Sequence, residues 1–278
     1  MMSLELKRRI ISALVMAAVV LAATWAGGMP FQILAAAISL LVYFEWSTIA
    51  RLTERNFTGN LVAWVALILL AANIAFGDPA MSMPLLSGFV ITVVLIVMIG
   101  GGTWWLPGGL LYAGLSGVSL AAIRDGGAAG LAAILFIFAV VWATDILAYF
   151  IGRALRGPKL APRISPGKTW SGAIGGAVSA VVAGSLLTFA FFGRLSVWIV
   201  ALSLILSVAS QIGDLFESFM KRRFGVKDSS QMIPGHGGVM DRVDGLVFAG
   251  SVIFLLALVS GPLRGHVDVS VAEFLFGQ

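Results

Sequence analysis

The sequence predicts an all-α protein: a polytopic bundle of about nine transmembrane helices with its N-terminus in the cytoplasm. Three observations predict it. Hydrophobic residues make up 59% of the chain and charged residues only 11%, where soluble domains carry roughly a quarter charged. Apolar runs long enough to cross a hydrocarbon core of about 30 Å as helices recur along the chain. The 18 basic residues are spread unevenly between alternate loops.

Spans are expected at 10–27, 30–50, 61–77, 84–100, 105–123, 128–150, 170–192, 195–213 and 245–262. The first follows Lys7-Arg8-Arg9 and ends in the small residues of "LAATWAGG", as a signal peptide does. With many spans to follow, no removable leader is needed, and an uncleaved helix is expected. The fourth and fifth spans meet at "GGGTWWLPGG", which has no charge to mark a surface. Losing one of the two would invert the sidedness of every later loop.

With the N-terminus inside, only Arg124, Arg194 and Arg264 fall outside, and the other fifteen basic residues fall inside. That is the positive-inside bias. The net charge of +5 thus reads as orientation signal and lipid-headgroup contact, not as a nucleic-acid surface. The expected location is a bacterial inner membrane. Cysteine is absent, which excludes disulfides, thiolate metal sites and a cysteine nucleophile. Of the two histidines, His236 lies in a long loop and His266 in an outward tail. Any metal must be held mainly by oxygen, which favours a magnesium-like ion.

No repeat of solenoid length and no soluble domain interrupts the spans, so residues 1–278 form a single membrane domain. Residues 1–127 supply N-terminal spans, for scaffold or dimerisation. Residues 128–262 form the catalytic core, with long cytoplasmic loops at 151–169 and 214–244 that hold ten of the 18 basic residues.

The stretch "QIGDLFESFMKRRFGVKD" runs out of the eighth span without a breaker. If the helix persists, Asp214, Ser218, Lys221 and Arg222 share one face. A carboxylate with two cations further out suits a metal-bound polyphosphate. It suits equally a helix leaving the membrane with a solvated basic end.

"GHGGVMDRVDG" opens the ninth span. Its glycines let backbone N–H groups approach an anion. Asp241 as an N-cap with turn glycines accounts for part of the string. It does not account for Asp244 one turn deeper, beside Arg242, where a carboxylate is costly unless paired or metal-bound. Asp214, Asp241 and Asp244 are therefore expected to hold a magnesium ion.

In "GRALRGPKLAPRISPGKTWSG", Gly167-Lys168-Thr169 resembles the end of a P-loop. Pro162 stands where that motif needs glycine, and no strand is expected before it, so the P-loop is excluded. Ser165, Lys168 and Thr169 remain as donors to phosphate oxygens. Asp145, about a turn and a half inside the sixth span, needs a partner or a site role. Glu45 is expected to snorkel or to pair with a basic residue such as Arg51.

Ser218-Phe219-Met220-Lys221-Arg222, Lys227-Asp228, Pro234, His236-Gly237-Gly238, Asp241-Arg242 and Asp244 together resemble the signature of the phosphatidate cytidylyltransferases, or CDP-diacylglycerol synthases. "SPGKTW" and "QIGDLFES" resemble two further segments of that family, and the likeness is dense over 142–245. The resemblance implies transfer of CMP from CTP to phosphatidic acid, with release of pyrophosphate. It also implies magnesium (Mg2+), help from a monovalent cation such as K+, and a homodimer among membrane lipids. In that reading Asp214 and Asp241, with Asp244, hold the metal. Lys168, Lys221 and Arg222 steady phosphates. Asp145, Ser165, Thr169, Ser218, Lys227, Asp228, His236, Gly237, Gly238 and Arg242 bind substrate, His236 by a hydrogen bond to phosphate or by a structural one.

One position departs from the pattern: the family usually has glutamate after the tryptophan of "SPxKTW", and this chain has Ser171. If that glutamate places metal or substrate, activity or preference is altered. Two rivals share part of the logic. An ion-coupled transporter would place ionisable residues near mid-bilayer in repeated halves. Another CTP-using lipid enzyme, such as a polyprenol or phytol kinase or an archaeal-type lipid cytidylyltransferase, would differ in the group transferred or in the lipid acceptor.

Overall fold

The computed structural model describes residues 4–263 and 270–277; Arg264 and His266 lie outside the described residues. Among the described residues, nine helices are long and apolar enough to cross a membrane. They are α1 (Leu4–Ala26), α2 (Gly28–Ile49), α4 (Phe57–Phe76), α5 (Ser82–Gly100), α6 (Trp105–Arg124), α7 (Gly127–Leu155), α8 (Trp170–Phe192), α9 (Val197–Arg223) and α10 (Met240–Leu263). Short helices α3 (Leu52–Arg55) and α11 (Val271–Phe276) complete the helical set. The glycines at 101 and 102, both at positive φ, separate α5 from α6, so "GGGTWWLPGG" does divide two spans.

Two helices run well past the expected C-terminal ends of their spans. α7 continues to Leu155 and α9 to Arg223, because the residues beyond the apolar runs are themselves helix formers. The long loops shrink to 156–169 and 224–239. The first holds an unexpected hairpin, β1 (Lys159–Ala161) paired antiparallel with β2 (Ser165–Thr169), Lys159 opposite Thr169 and Ala161 opposite Ser165. A strand therefore does precede Gly167-Lys168-Thr169. The P-loop stays excluded by Pro162.

The chain divides into two compact units, 1–121 with 224–242, and 122–223 with 243–278. The first unit is held by polar contacts between apolar helices, as expected where lipid offers no hydrophobic drive to associate. Ser39 Oγ donates to the Ala113 carbonyl at 2.7 Å, Trp46 Nε1 to the Trp105 carbonyl at 2.8 Å, and Tyr43 Oη to Asn60 Oδ1 at 3.0 Å. Trp46 also stacks on Tyr112, with ring centroids 5.3 Å apart.

The second unit is built on close backbone approach. The buried face of α8 reads Gly172, Gly176, Ala180, Gly184, Thr188, one small residue every four. A Cβ added at Gly172 would stand 2.6 Å from the Ala148 carbonyl oxygen, and one at Gly176 would stand 2.7 Å from that of Thr144. α7 and α8 thus pack backbone to backbone, the small-residue geometry of membrane helix pairs. The opposite face of α8 presents Ile174, Val178, Val182 and Leu186, all more than half exposed, as a lipid-facing surface requires.

Candidate active site

The second unit forms an open cavity of about 800 Å³. Arg153 and Arg156 reach it from the end of α7 and the turn after it, Lys159 from β1, Lys168 from β2, Asp145 from α7 and Asp214 from α9. Ser165 and Thr169 add hydroxyls. The antiparallel register of the hairpin carries Lys159 and Lys168 to the same cavity, which spacing along the chain does not reveal.

Within the cavity Lys168 Nζ pairs with Asp214 Oδ2. Ser218, one turn on, donates to Asp214 Oδ1 at 3.4 Å. Asp145 is exposed to the cavity, and not sunk in protein, within electrostatic reach of Asp214, Asp244 and Lys168. Asp244 lies within electrostatic reach of Asp214 and Lys221. Its Oδ1 accepts the Gly245 amide at 2.8 Å. Lys221 donates to the buried Glu217 Oε2 at 3.1 Å, and Arg222 is exposed. The shared face expected of Asp214, Ser218, Lys221 and Arg222 is thus divided. Ser218 joins Asp214, and Lys221 turns to Glu217.

Thr169 has a second duty. It caps α8, its Oγ1 accepting the Gly172 amide at 3.1 Å. Ser171 donates to the Arg156 carbonyl, at the turn where Arg156 takes a left-handed φ of 56°.

In the first unit, the loop 224–239 leaves Lys227 and Asp228 exposed. Its end closes on itself: the Ile233 amide donates to the Gly237 carbonyl and the His236 amide to the Ile233 carbonyl, each at 2.9 Å. His236 Nδ1 meets Ser12 Oγ at 2.9 Å, and Arg242 Nε donates to the His236 carbonyl at 2.9 Å. Asp241 Oδ2 accepts from the Ser229 amide, the Gly238 amide and Ser229 Oγ at 2.8–2.9 Å. Asp241 therefore ties loop backbone down instead of capping its own helix.

The structure corrects the reading of Glu45. It neither snorkels nor pairs with Arg51. It is fully buried, and loop residues supply most of its partners. Glu217 was also missed, although its spacing of four before Lys221 was the signal. For Glu45 a glutamate inside an apolar span was the only sign.

Among the described residues no three carboxyl or imidazole groups converge as a metal cluster. The donor chemistry is nonetheless that of a hard cation's site, all carboxylate oxygen, and at Asp214 an ammonium already occupies the place of positive charge.

Residues 7–260 match the cytidylyltransferase family. The chain is 45% identical to the phosphatidate cytidylyltransferase of Brucella suis over 97% of its length and 98% of that protein's. It is 33% identical to the enzyme of the same name from Haemophilus influenzae, over 88% of this chain and 96% of the relative. With that of Bacillus subtilis it shares 32% identity, over 92% and 99%. A cavity lined by four cations and two carboxylates has the chemistry to hold a nucleoside polyphosphate, and the match covers every residue that builds it: the chain belongs to the cytidylyltransferase family and is a nucleotidyltransferase.

Proposed function

We propose that this protein transfers CMP from CTP to phosphatidic acid, giving CDP-diacylglycerol and pyrophosphate. The observation that carries the reading is the meeting of Arg153, Arg156, Lys159 and Lys168 with Asp145 and Asp214 in one cavity, in a chain 45% identical to a protein named for this reaction.

The nucleophile is a phosphate oxygen of the lipid, anionic on arrival, so the enzyme needs no serine or cysteine nucleophile. That oxygen bonds to the α-phosphorus of CTP as the bond to the β-phosphate oxygen breaks, and pyrophosphate leaves. The barrier is mostly charge repulsion, which fixed cations lower. Lys168 and the two arginines would neutralise phosphate oxygens, Ser165 would donate to them, and Asp145 and Asp214 would keep the cations aimed. Asp214 and Asp244 would hold Mg2+. When bound, the ion supplies Lewis-acid stabilisation of the leaving phosphates. A monovalent cation such as K+ and a homodimer belong to the same reading.

The enzyme would lie in a bacterial inner membrane with the cavity hairpin and the loop 224–239 on the cytoplasmic side. The positive-inside distribution supports this, and CTP is there. The test is purified protein in phosphatidic acid micelles with Mg2+ and cytidine-labelled CTP. Label should enter the lipid phase, fall about 100-fold or more in Asp214→Asn, and vanish with EDTA. Lipid labelled only from γ-labelled CTP would overturn the reading in favour of a kinase.

A further inference from the structure

Glu45 is fully buried near the end of α2, yet four donors far along the chain, three from the loop 224–239 and one from the first residue of α10, meet its carboxylate. Oε1 accepts from Ser230 Oγ at 2.6 Å and from the Val239 amide at 2.9 Å. Oε2 accepts from the Met240 amide at 2.6 Å and from Ser229 Oγ at 3.1 Å. Two donors come from the start of the 229–240 segment and two from its end. One carboxylate therefore gathers both ends of the segment against a membrane helix.

The gathering is tight. A Cβ on Gly238 would collide with both Ser229 Oγ and Glu45 Oε1. Ser229 Oγ also lies 2.8 Å from Asp241 Oδ2. A hydroxyl has a single proton, so Ser229 shares it between two carboxylates and links Glu45 to Asp241. Between the gathered ends lie His236 and Gly237, and Lys227 and Asp228 immediately precede them. All four are positions the resemblance assigns to substrate. A buried carboxylate with its hydrogen-bonding capacity spent this way is not placed for bulk stability alone, since an apolar residue would pack α2 without a desolvation cost.

We propose that Glu45 is a positioning residue of the transfer reaction, holding the 227–240 loop in the conformation the reaction requires. It touches no substrate; it acts through the loop backbone. The proposal rests on the reaction proposed above for its kinetic arm only.

The experiment compares native protein with Glu45→Gln, Glu45→Asp and Ser230→Ala. Amide hydrogen exchange at Val239 and Met240, measured in micelles without substrate, decides the holding role whatever the reaction proves to be. Both amides should exchange at least about tenfold faster in Glu45→Gln, the loss of one charge-assisted hydrogen bond. The KM for CTP should rise about tenfold by the same loss, with a smaller rise in Glu45→Asp, which keeps the charge, and in Ser230→Ala, which removes one donor of four. A smaller folded fraction lowers the measured rate without moving KM, so the KM separates positioning from simple misfolding. If Glu45→Gln does not fold, Ser230→Ala carries the test with the carboxylate intact. Unchanged exchange and unchanged KM in whichever of these variants folds would overturn the proposal. A native protein that makes no CDP-lipid, with exchange still accelerated in Glu45→Gln, would sink the reaction and leave the loop anchor standing.

Discussion

Gly213→Ala adds one methyl group where α9 meets α10. Gly213 is buried, and its new Cβ would stand 2.5 Å from Phe248 Cβ and 2.7 Å from the Asp244 carbonyl oxygen. Non-bonded heavy atoms settle at about 3.5–4.0 Å, so the local helix separation must grow by about 1 Å. Neither obstacle is the free end of a side chain, and rotation offers no escape. Overpacking of this kind costs about 1–3 kcal/mol of stability. The chemistry should suffer more. Asp214 is the next residue on α9, Asp244 owns the obstructing carbonyl, and a 1 Å misplacement costs on the order of 100-fold in rate. The assay is CMP transfer per folded molecule, with the folded fraction taken from thermal unfolding in the same detergent. Gly245→Ala is the control. Its Cβ would meet Ser210 Oγ at 2.5 Å, and a hydroxyl on a single rotor can turn aside, so its loss should stay below roughly tenfold. Transfer by Gly213→Ala within about threefold of native, or equal damage in both variants, would refute the claim that helix separation at this point sets the distance between the carboxylates.

Two further perturbations test the frame around the cavity. Gly176→Leu would drive a side chain into the Thr144 carbonyl and should cost about 1–3 kcal/mol in unfolding from mixed micelles. Val178→Leu, at a 60% exposed position on the opposite face of the same helix, should stay within about 0.5 kcal/mol. Thr169→Ala should cost about 1 kcal/mol by removing the cap of α8, and Thr169→Ser should restore it. A tenfold rise in the KM for CTP with native stability would instead assign Thr169 to substrate.

The nine spans were legible because a membrane helix must be apolar over its whole length, and such runs stand out against 11% charge. Their ends were less so: α9 runs ten residues past its expected end at 213, because helix formers continue where the apolar run stops. The hairpin at 159–169 was hidden, since a three-residue strand beside Pro162 shows no alternation to read. The α8 stripe of Gly172, Gly176, Ala180 and Gly184 stood in plain view at a spacing of four and went unread. In the site, the residue types pointed to phosphate and cation, and Asp145, Ser165, Lys168, Thr169 and Asp214 do line one cavity. Partnerships did not follow from residue type. Lys221 shared a face with Asp214 on a helical wheel and is held by Glu217, and Glu45 looked unremarkable because nothing near it in sequence is its partner.

The partners of Glu45 are made late in synthesis. The nearest partner of Glu45 lies 184 residues later in the chain and the farthest 195. At about 5–20 residues per second, a ribosome makes α2 roughly 10–40 s before it makes Ser229. Throughout that interval the nascent protein carries a carboxylate in a membrane helix with none of the donors it will finally have, and water or headgroups at the bilayer surface must stand in for them. Until the loop arrives to cover it, that carboxylate favours a place at the wet edge of the bilayer.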